Sequence, residues 1–425
     1  VKPLRDQISL SAIVAGLIAV IVSYAGPSLI IFQAASAAGL DHAQIASWIW
    51  AVSIGSGLSA IVLSIRFKAP IITAWSTPGA ALLVTALPQV SYAEAVGAFV
   101  FAAGGIALLG LSGLFETVTA RIPKTIAAAM LAGILFHFGA QIFSSFTEAP
   151  VLVGAMVLFY LALKRALPRY AIAGVLALGV LIVGMNGDLG FQDMHVELAI
   201  PQWTTPAFSW EAIVSLGLPL ALVTLTGQFV PGLAVLRASG YDTPSNPLVW
   251  VPSVLAVPLA CMGCHGINLA AITAAICTGP EAHQESGKRW VAGVALGLFY
   301  ILIGAFGATL AVVFAALPKE LIAAIAGLAL LGATMNGLVG AMKEEGEREP
   351  ALITFLVTAS GLSFLGLGAA FWGLVLGILA SVMLRATYKT RGLPPLAPRL
   401  GSQLPKPFSF LSGKLAQFLA GSGVD

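Results

Sequence analysis

The sequence predicts an all-α polytopic membrane protein. It has fourteen spans arranged as two inverted halves of seven, with short strands and half-helices at spans three and ten. Three observations predict this: too few charges for a water-covered surface, basic residues that favour alternate connections, and a chain that repeats itself. Of 425 residues, 58% are hydrophobic and 9% charged. Soluble domains carry about 25% charged residues, so lipid must solvate most of this surface. The formal charge of +3 is too small to indicate a nucleic-acid partner. Three cysteines confined to Cys261–Cys277 form no disulfide framework. The first apolar run is too long for a cleavable signal peptide, and no short polar cleavage region follows it.

A helix needs about 20 apolar residues to cross the hydrocarbon core. Such runs fall at 10–35, 44–64, 70–87, 93–115, 122–143, 149–164, 169–187, 209–236, 246–262, 265–279, 289–315, 319–341, 350–365 and 369–387. With the N-terminus in the cytoplasm, the N-terminal segment with Lys2 and Arg5, the even-numbered connections and the tail hold every Lys and Arg except Lys319, which is 20 of 21. That distribution obeys the positive-inside rule, and a miscounted span would invert everything after it. The longest outer connection, near 188–208, carries Asp188, Asp193 and Glu197 and no basic residue. Residues 391–425 read as a cytoplasmic, peripheral tail.

The two halves echo each other. "AIVAGL" at Ala12 recurs as "AIVSLG" at Ala212, "WAVS" at Trp50 as "WVPS" at Trp250, and "IPKTIAAAMLAG" at Ile122 as "LPKELIAAIAGL" at Leu317. The matches keep their order at offsets of roughly 195 to 201 residues. Seven spans per half is an odd number, so the halves lie inverted. Lys124 and Lys319 are repeat mates, and one must face each side. Inverted repeats mark secondary transporters, with the substrate site near the midplane between the halves.

Paired interrupted segments are the sequence pointer to such a site. Span three reads "PIITAWSTPGAALLVTAL". Ile71–Trp75 has extended character; Ser76 or Thr77 before Pro78-Gly79 suits a helix start, so a half-helix is expected from Thr77 to Leu87. Span ten reads "CMGCHGINLAAITAAICTG". There Gly266 is the break, Asn268 the expected N-cap, and the half-helix is expected to run to about Cys277. Two opposed helix N-termini present unpaired N–H groups and partial positive charge, an anion site without Lys or Arg. Two simple kinks are the structural alternative.

"CMGCH", Cys261–His265, also has the spacing of c-type haem attachment. Span counting places His265 inside the membrane, where no soluble haem pocket exists, and zinc would need further ligands. A haem-bearing membrane oxidoreductase is therefore a remote alternative, and a buried, merely satisfied histidine a nearer one. His137 and His265 are the ionisable residues deep within spans; such groups are costly there and usually functional. His265 lies at the break and titrates near neutral pH when unperturbed, which makes it the proton-coupling candidate. No metal site and no catalytic constellation is expected.

The segments "FQAASAAGL", "AWSTPGAALL", "RIPKTIAAAMLAGILF" and "CHGINLAAITAAICTGPEAHQESGKRW" resemble the bacterial benzoate:proton symporter family (BenE-type), over nearly the whole chain. That family is similar in fold to nucleobase symporters and sulfate-type anion carriers. The resemblance implies a core domain of residues 1–120 and 206–316 and a gate domain of 121–205 and 317–390. It places substrate near Tyr24 and Gly26 in span one, Ser76, Thr77, Pro78 and Gly79 in span three, Thr226, Gln228 and Phe229 in span eight, and His265, Gly266 and Asn268 in span ten. Nucleobase carriers have acidic residues at the matching places in spans eight and ten; Gln228 and His265 here remove that negative charge, as a carboxylate substrate requires. The implied activity is proton-coupled uptake of benzoate or a similar small aromatic carboxylate through a bacterial inner membrane, by alternating access. Both termini would be cytoplasmic and no cofactor beyond the proton is needed. Ser76, Thr77 and Asn268 would bond the carboxylate, and Tyr24 and Phe229 would meet the ring. Carriers of this fold often pair as homodimers. An inorganic-anion or nucleobase carrier of the same fold is the alternative.

Overall fold

The computed structural model describes residues 9–186, 196–280, 282–365 and 367–390. Asp188, Asp193 and the tail after residue 390 lie outside them. The chain is mostly helical. In order come α1 (Leu10–Ala25), α2 (Pro27–Ala37), α3 (His42–Phe67), β1 (Thr73–Trp75), α4 (Thr77–Ala86), α5 (Tyr92–Leu111), α6 (Phe115–Arg121), α7 (Lys124–Glu148), α8 (Pro150–Ala166) and α9 (Ala171–Asn186). Then follow α10 (Trp210–Ala212), α11 (Leu218–Thr224) and α12 (Val230–Ala238), α13 (Ser245–Ala260), β2 (Ile267–Leu269), α14 (Ile272–Thr278), α15 (Trp290–Ala305), α16 (Gly307–Ala315), α17 (Lys319–Ala341), α18 (Arg348–Ala359) and α19 (Ala369–Thr390). Among the described residues, seven helical stretches are long and apolar enough to cross a membrane by length and composition. Large apolar side chains such as Leu108, Leu158 and Leu298 point outward, a surface that lipid accepts and water does not.

Local chemistry starts these helices where the sequence breaks. Asp41 and Gln44 form a reciprocal capping box at α3, and Ser91 and Glu94 do the same at α5. The first apolar run is two helices rather than one, because Gly26 interrupts it and Pro27 opens α2. The eighth is a continuous helix whose hydrogen bonding widens to π turns at Ile213–Gly217 and Leu225–Phe229, a feature frequent at functional sites.

Two helix groups build the interior. α3 lies along α15, α5 along α13, and α1 along α15 and α14; separately, α7 lies along α17 and α18, and α8 along α9. Gly57 and Gly297 let α3 and α15 touch backbone to backbone, since a Cβ on either would sit about as close as 2.6 Å to the other's carbonyl oxygen. Outside the spans, Arg237 and Ser245 both donate to Glu116, at 2.6 and 3.0 Å. The Arg237 contact is the larger cause holding the Glu116 carboxyl below the usual carboxylate range.

Candidate functional site

The two interrupted segments meet through backbone. β1 pairs antiparallel with β2 in the register Thr73–Leu269, Ala74–Asn268 and Trp75–Ile267. Past this ladder the chain turns into α4, whose first turn contains Pro78 and whose cap is Ser76, accepting from the Gly79 N–H at 3.1 Å. β2 leads instead to Ala270 and Ala271 before α14 begins, with no side-chain cap.

Ser76 is fully buried, and all of its polar groups are engaged. With the Asn268 amide turned so that its oxygen faces a donor and its nitrogen an acceptor, the Ser76 N–H donates to Oδ1 at 3.1 Å and Nδ2 donates to the Leu269 carbonyl at 3.2 Å. The Ser76 Oγ also accepts from Thr224 Oγ1 at 3.2 Å. Its carbonyl accepts from Ala80 N at 2.8 Å and lies 3.0 Å from His265 Nε2. His265 Nδ1 in turn accepts from Trp48 Nε1 at 3.0 Å. A carbonyl only accepts and an indole N–H only donates, so the imidazole carries its proton on Nε2 and is neutral. A proton added at Nδ1 would face the Trp48 N–H and break that bond. With both ring nitrogens occupied, His265 has none left for a metal or haem, and among the described residues no group of three or more His, Cys, Asp or Glu could hold a metal ion.

Beside this hub three rings form a cluster. Tyr24 and Trp75 lie 5.4 Å apart, Trp75 and Tyr300 5.5 Å, and Tyr24 and Tyr300 6.0 Å. Tyr24 bonds Ser53 and Tyr300 bonds Ser23, at 2.5 and 2.6 Å. A small cavity beside His265 is lined by Thr224, Ser253, Gly266 and apolar residues of α5 and α13, among others.

The structure thus brings Ser76, His265 and Asn268 into direct contact, with Thr77, Pro78 and Gly79 following in the capped turn. Tyr24 is one residue removed, through Trp75. Gly26 forms the α1–α2 break and Gly266, at φ 147°, the turn into β2. Three placements differ from expectation. Asn268 is not the cap of the second half-helix but the middle of a strand; the ladder consumes residues 267–269, so α14 starts later and ends at Thr278. Thr226 bonds its own helix at Leu222, at 2.8 Å, and Thr224 reaches Ser76 instead; two residues apart on a helix point to nearly opposite faces. Phe229 packs on Phe115, ring centroids 6.4 Å apart, in a separate apolar cluster. Gln228 is half-buried nearby. Sequence reasoning missed Trp48, Trp75, Thr224 and Tyr300. For Trp75 a signal existed, an aromatic residue directly before the cap; the other three are distant in sequence.

A family model described as benzoate membrane transport protein matches residues 6–383. The benzoate membrane transport protein of Acinetobacter baylyi is 48% identical over 383 residues, covering 90% of this chain and 97% of that one. The inner membrane protein YdcO of Escherichia coli is 43% identical over 372 residues, covering 88% and 95%. Among solved structures, SLC26A9 superposes with a TM-score of 0.63 at 14% identity, over 89% of this chain and 65% of that one. The transmembrane domain of a cyanobacterium bicarbonate transporter, BicA, gives 0.57 at 16%, over 89% and 98%. These last two likenesses are of fold alone.

Proposed function

Because the chain belongs to the benzoate membrane transport protein family, a family of transporters and not of enzymes, we propose that it carries benzoate or a similar small aromatic carboxylate into the cell together with a proton. The observation that carries this reading is the meeting of the two interrupted segments at Ser76. It places a capped helix start, hydroxyl groups and aromatic rings at one buried point, with no carboxylate among the contacts described there to repel an anion. One proton entering with one anion keeps the step electroneutral, which avoids work of about 2.3 kcal/mol per charge per 100 mV.

Fourteen spans in two inverted halves support such a site. The break at Gly26 and the π turn at Leu225–Phe229 fall at matching points of the repeat. Bonds between distant connections join ends assigned to one side: Lys319 with Glu148 at 3.2 Å and Ser363 with Gln89 at 3.1 Å outside, Thr125 with Glu347 at 2.8 Å inside. Both termini then lie in the cytoplasm. The two helix groups correspond to a core domain (1–120 and 206–316) and a gate domain (121–205 and 317–390), and movement of one against the other exposes the site to each side in turn. His265 accepts a proton at Nδ1 only after Trp48 releases it, so protonation is tied to a rearranged state. The test is uptake of labelled benzoate into proteoliposomes under an imposed pH gradient, against protein-free vesicles. Uptake above that background that rises with the gradient is expected; protein-dependent uptake indifferent to the gradient removes the proton from the proposal.

A further inference from the structure

Trp75 is the last residue of β1 and the one directly before the Ser76 cap. Its side chain is 2% exposed, yet its indole Nε1–H has no hydrogen-bond partner. An indole nitrogen only donates, and buried donors are nearly always paired. This one therefore marks a place where an acceptor belongs that the chain itself does not supply.

The neighbours narrow what that acceptor is. The Tyr24 hydroxyl is held by Ser53, and that of Tyr300 by Ser23; each serine passes its own proton to a backbone carbonyl, Ile49 and Ala19 respectively. Thr73, on the same strand face, is engaged with the Ser56 carbonyl and Ser59. In a cluster walled by aromatic rings, the Trp75 N–H is the donor left over. A guest with a ring and one strong acceptor matches it. Tyr24, at 9%, is the most open of the three rings.

We propose that Trp75 is a specificity-determining residue of the substrate site: its Nε1–H donates to a carboxylate oxygen of an aromatic acid whose ring lies against Tyr24. This rests on the reading of the chain as an aromatic carboxylate carrier and adds the donor. A second buried indole, that of Trp290, also lacks a partner, but its ring lies under the Lys68 ammonium at 3.9 Å rather than among other rings. It serves as the internal control.

The experiment uses the full chain in detergent micelles with ¹⁵N-labelled tryptophan, the Trp75 indole signal being assigned with W75F. Titration with benzoate is expected to move that indole proton downfield and to leave the Trp290 signal in place. W75F is expected to bind benzoate about tenfold more weakly by calorimetry, the size of a lost charged hydrogen bond. If W75F does not fold, the signal is assigned by elimination through the other tryptophans and the titration decides alone. Benzoate binding to the wild type with an unmoved Trp75 signal overturns the inference and leaves the transport reading intact. A wild type that binds no benzoate overturns both.

Discussion

α4 has ten residues, a serine cap and a proline in its first turn; α14 has seven residues and starts behind Ala271 with no side-chain cap. The two follow the paired strands β1 and β2, but they are held differently. The first is stabilised by its own sequence, within four residues of Ser76. The second contributes its polar side chains outward: Asn268 binds the Ser76 N–H and His265 the Ser76 carbonyl. The second segment thus braces the first, and its own short helix depends on packing and on the strand ladder. The two segments divide the work between local and long-range interactions.

That division can be broken hardest at the turns. Gly263 has φ 98°, and a Cβ there would lie 2.8 Å from the Tyr92 hydroxyl and 3.0 Å from Trp48 Cβ. Strain and overpacking together put Gly263→Ala at about 3 kcal/mol or more of lost stability. Gly79, in the first segment, is helical, and its added Cβ would meet the movable end of Leu220 at 2.7 Å and Ser76 Oγ at 2.8 Å. Gly79→Ala is expected to cost about 1–2 kcal/mol. Thermal unfolding in micelles checks the order; equal losses would erase the distinction between the segments.

Next in size are the braces. His265→Leu leaves the Trp48 indole N–H, fully buried, without its acceptor. Asn268→Leu does the same to the Ser76 N–H. Each is expected to cost about 1–3 kcal/mol, and the two losses should not add, since both act on Ser76. A double-mutant cycle that returns simple additivity would mean that Ser76 is no shared hub.

The smallest effects sharpen the comparison at the caps. Ser76→Ala is expected to cost about 1 kcal/mol. Ala271→Ser, which writes a cap residue into the second segment, is expected to change stability by less than about 0.5 kcal/mol. The backbone of Ala271 is helical, at φ −100° and ψ −50°, and a cap needs an extended backbone to aim its oxygen at the following turn. A clear gain from Ala271→Ser would show that the second helix lacks only a side chain.

Legibility followed the same line. The start of α4 at Thr77 and the extended Ile71–Trp75 stretch before it could be seen in the sequence, because Ser76, Pro78 and Gly79 are neighbours acting on neighbours. The break at Gly266 was visible for the same reason. The role of Asn268 was not, because its partner is 192 residues away and the competing helix-cap reading is purely local. Nor was the neutral ring of His265, which depends on Trp48, 217 residues distant. Phe229 is a ring in the right span, but a helix places rings on every face. The charge pattern and repeat matches predict spans, but they carry no information about which side chain meets which.

The three-pair ladder of β1 and β2 has a mechanical consequence. A slip of one residue along either strand would turn Thr73 and Trp75 to the opposite face and unseat every contact they make. The ladder therefore resists shear, and the two segments behave as a single riveted seam. Whatever travels during a cycle, Ala74 and Asn268 travel side by side, and a covalent staple between them would cost the protein nothing in motion.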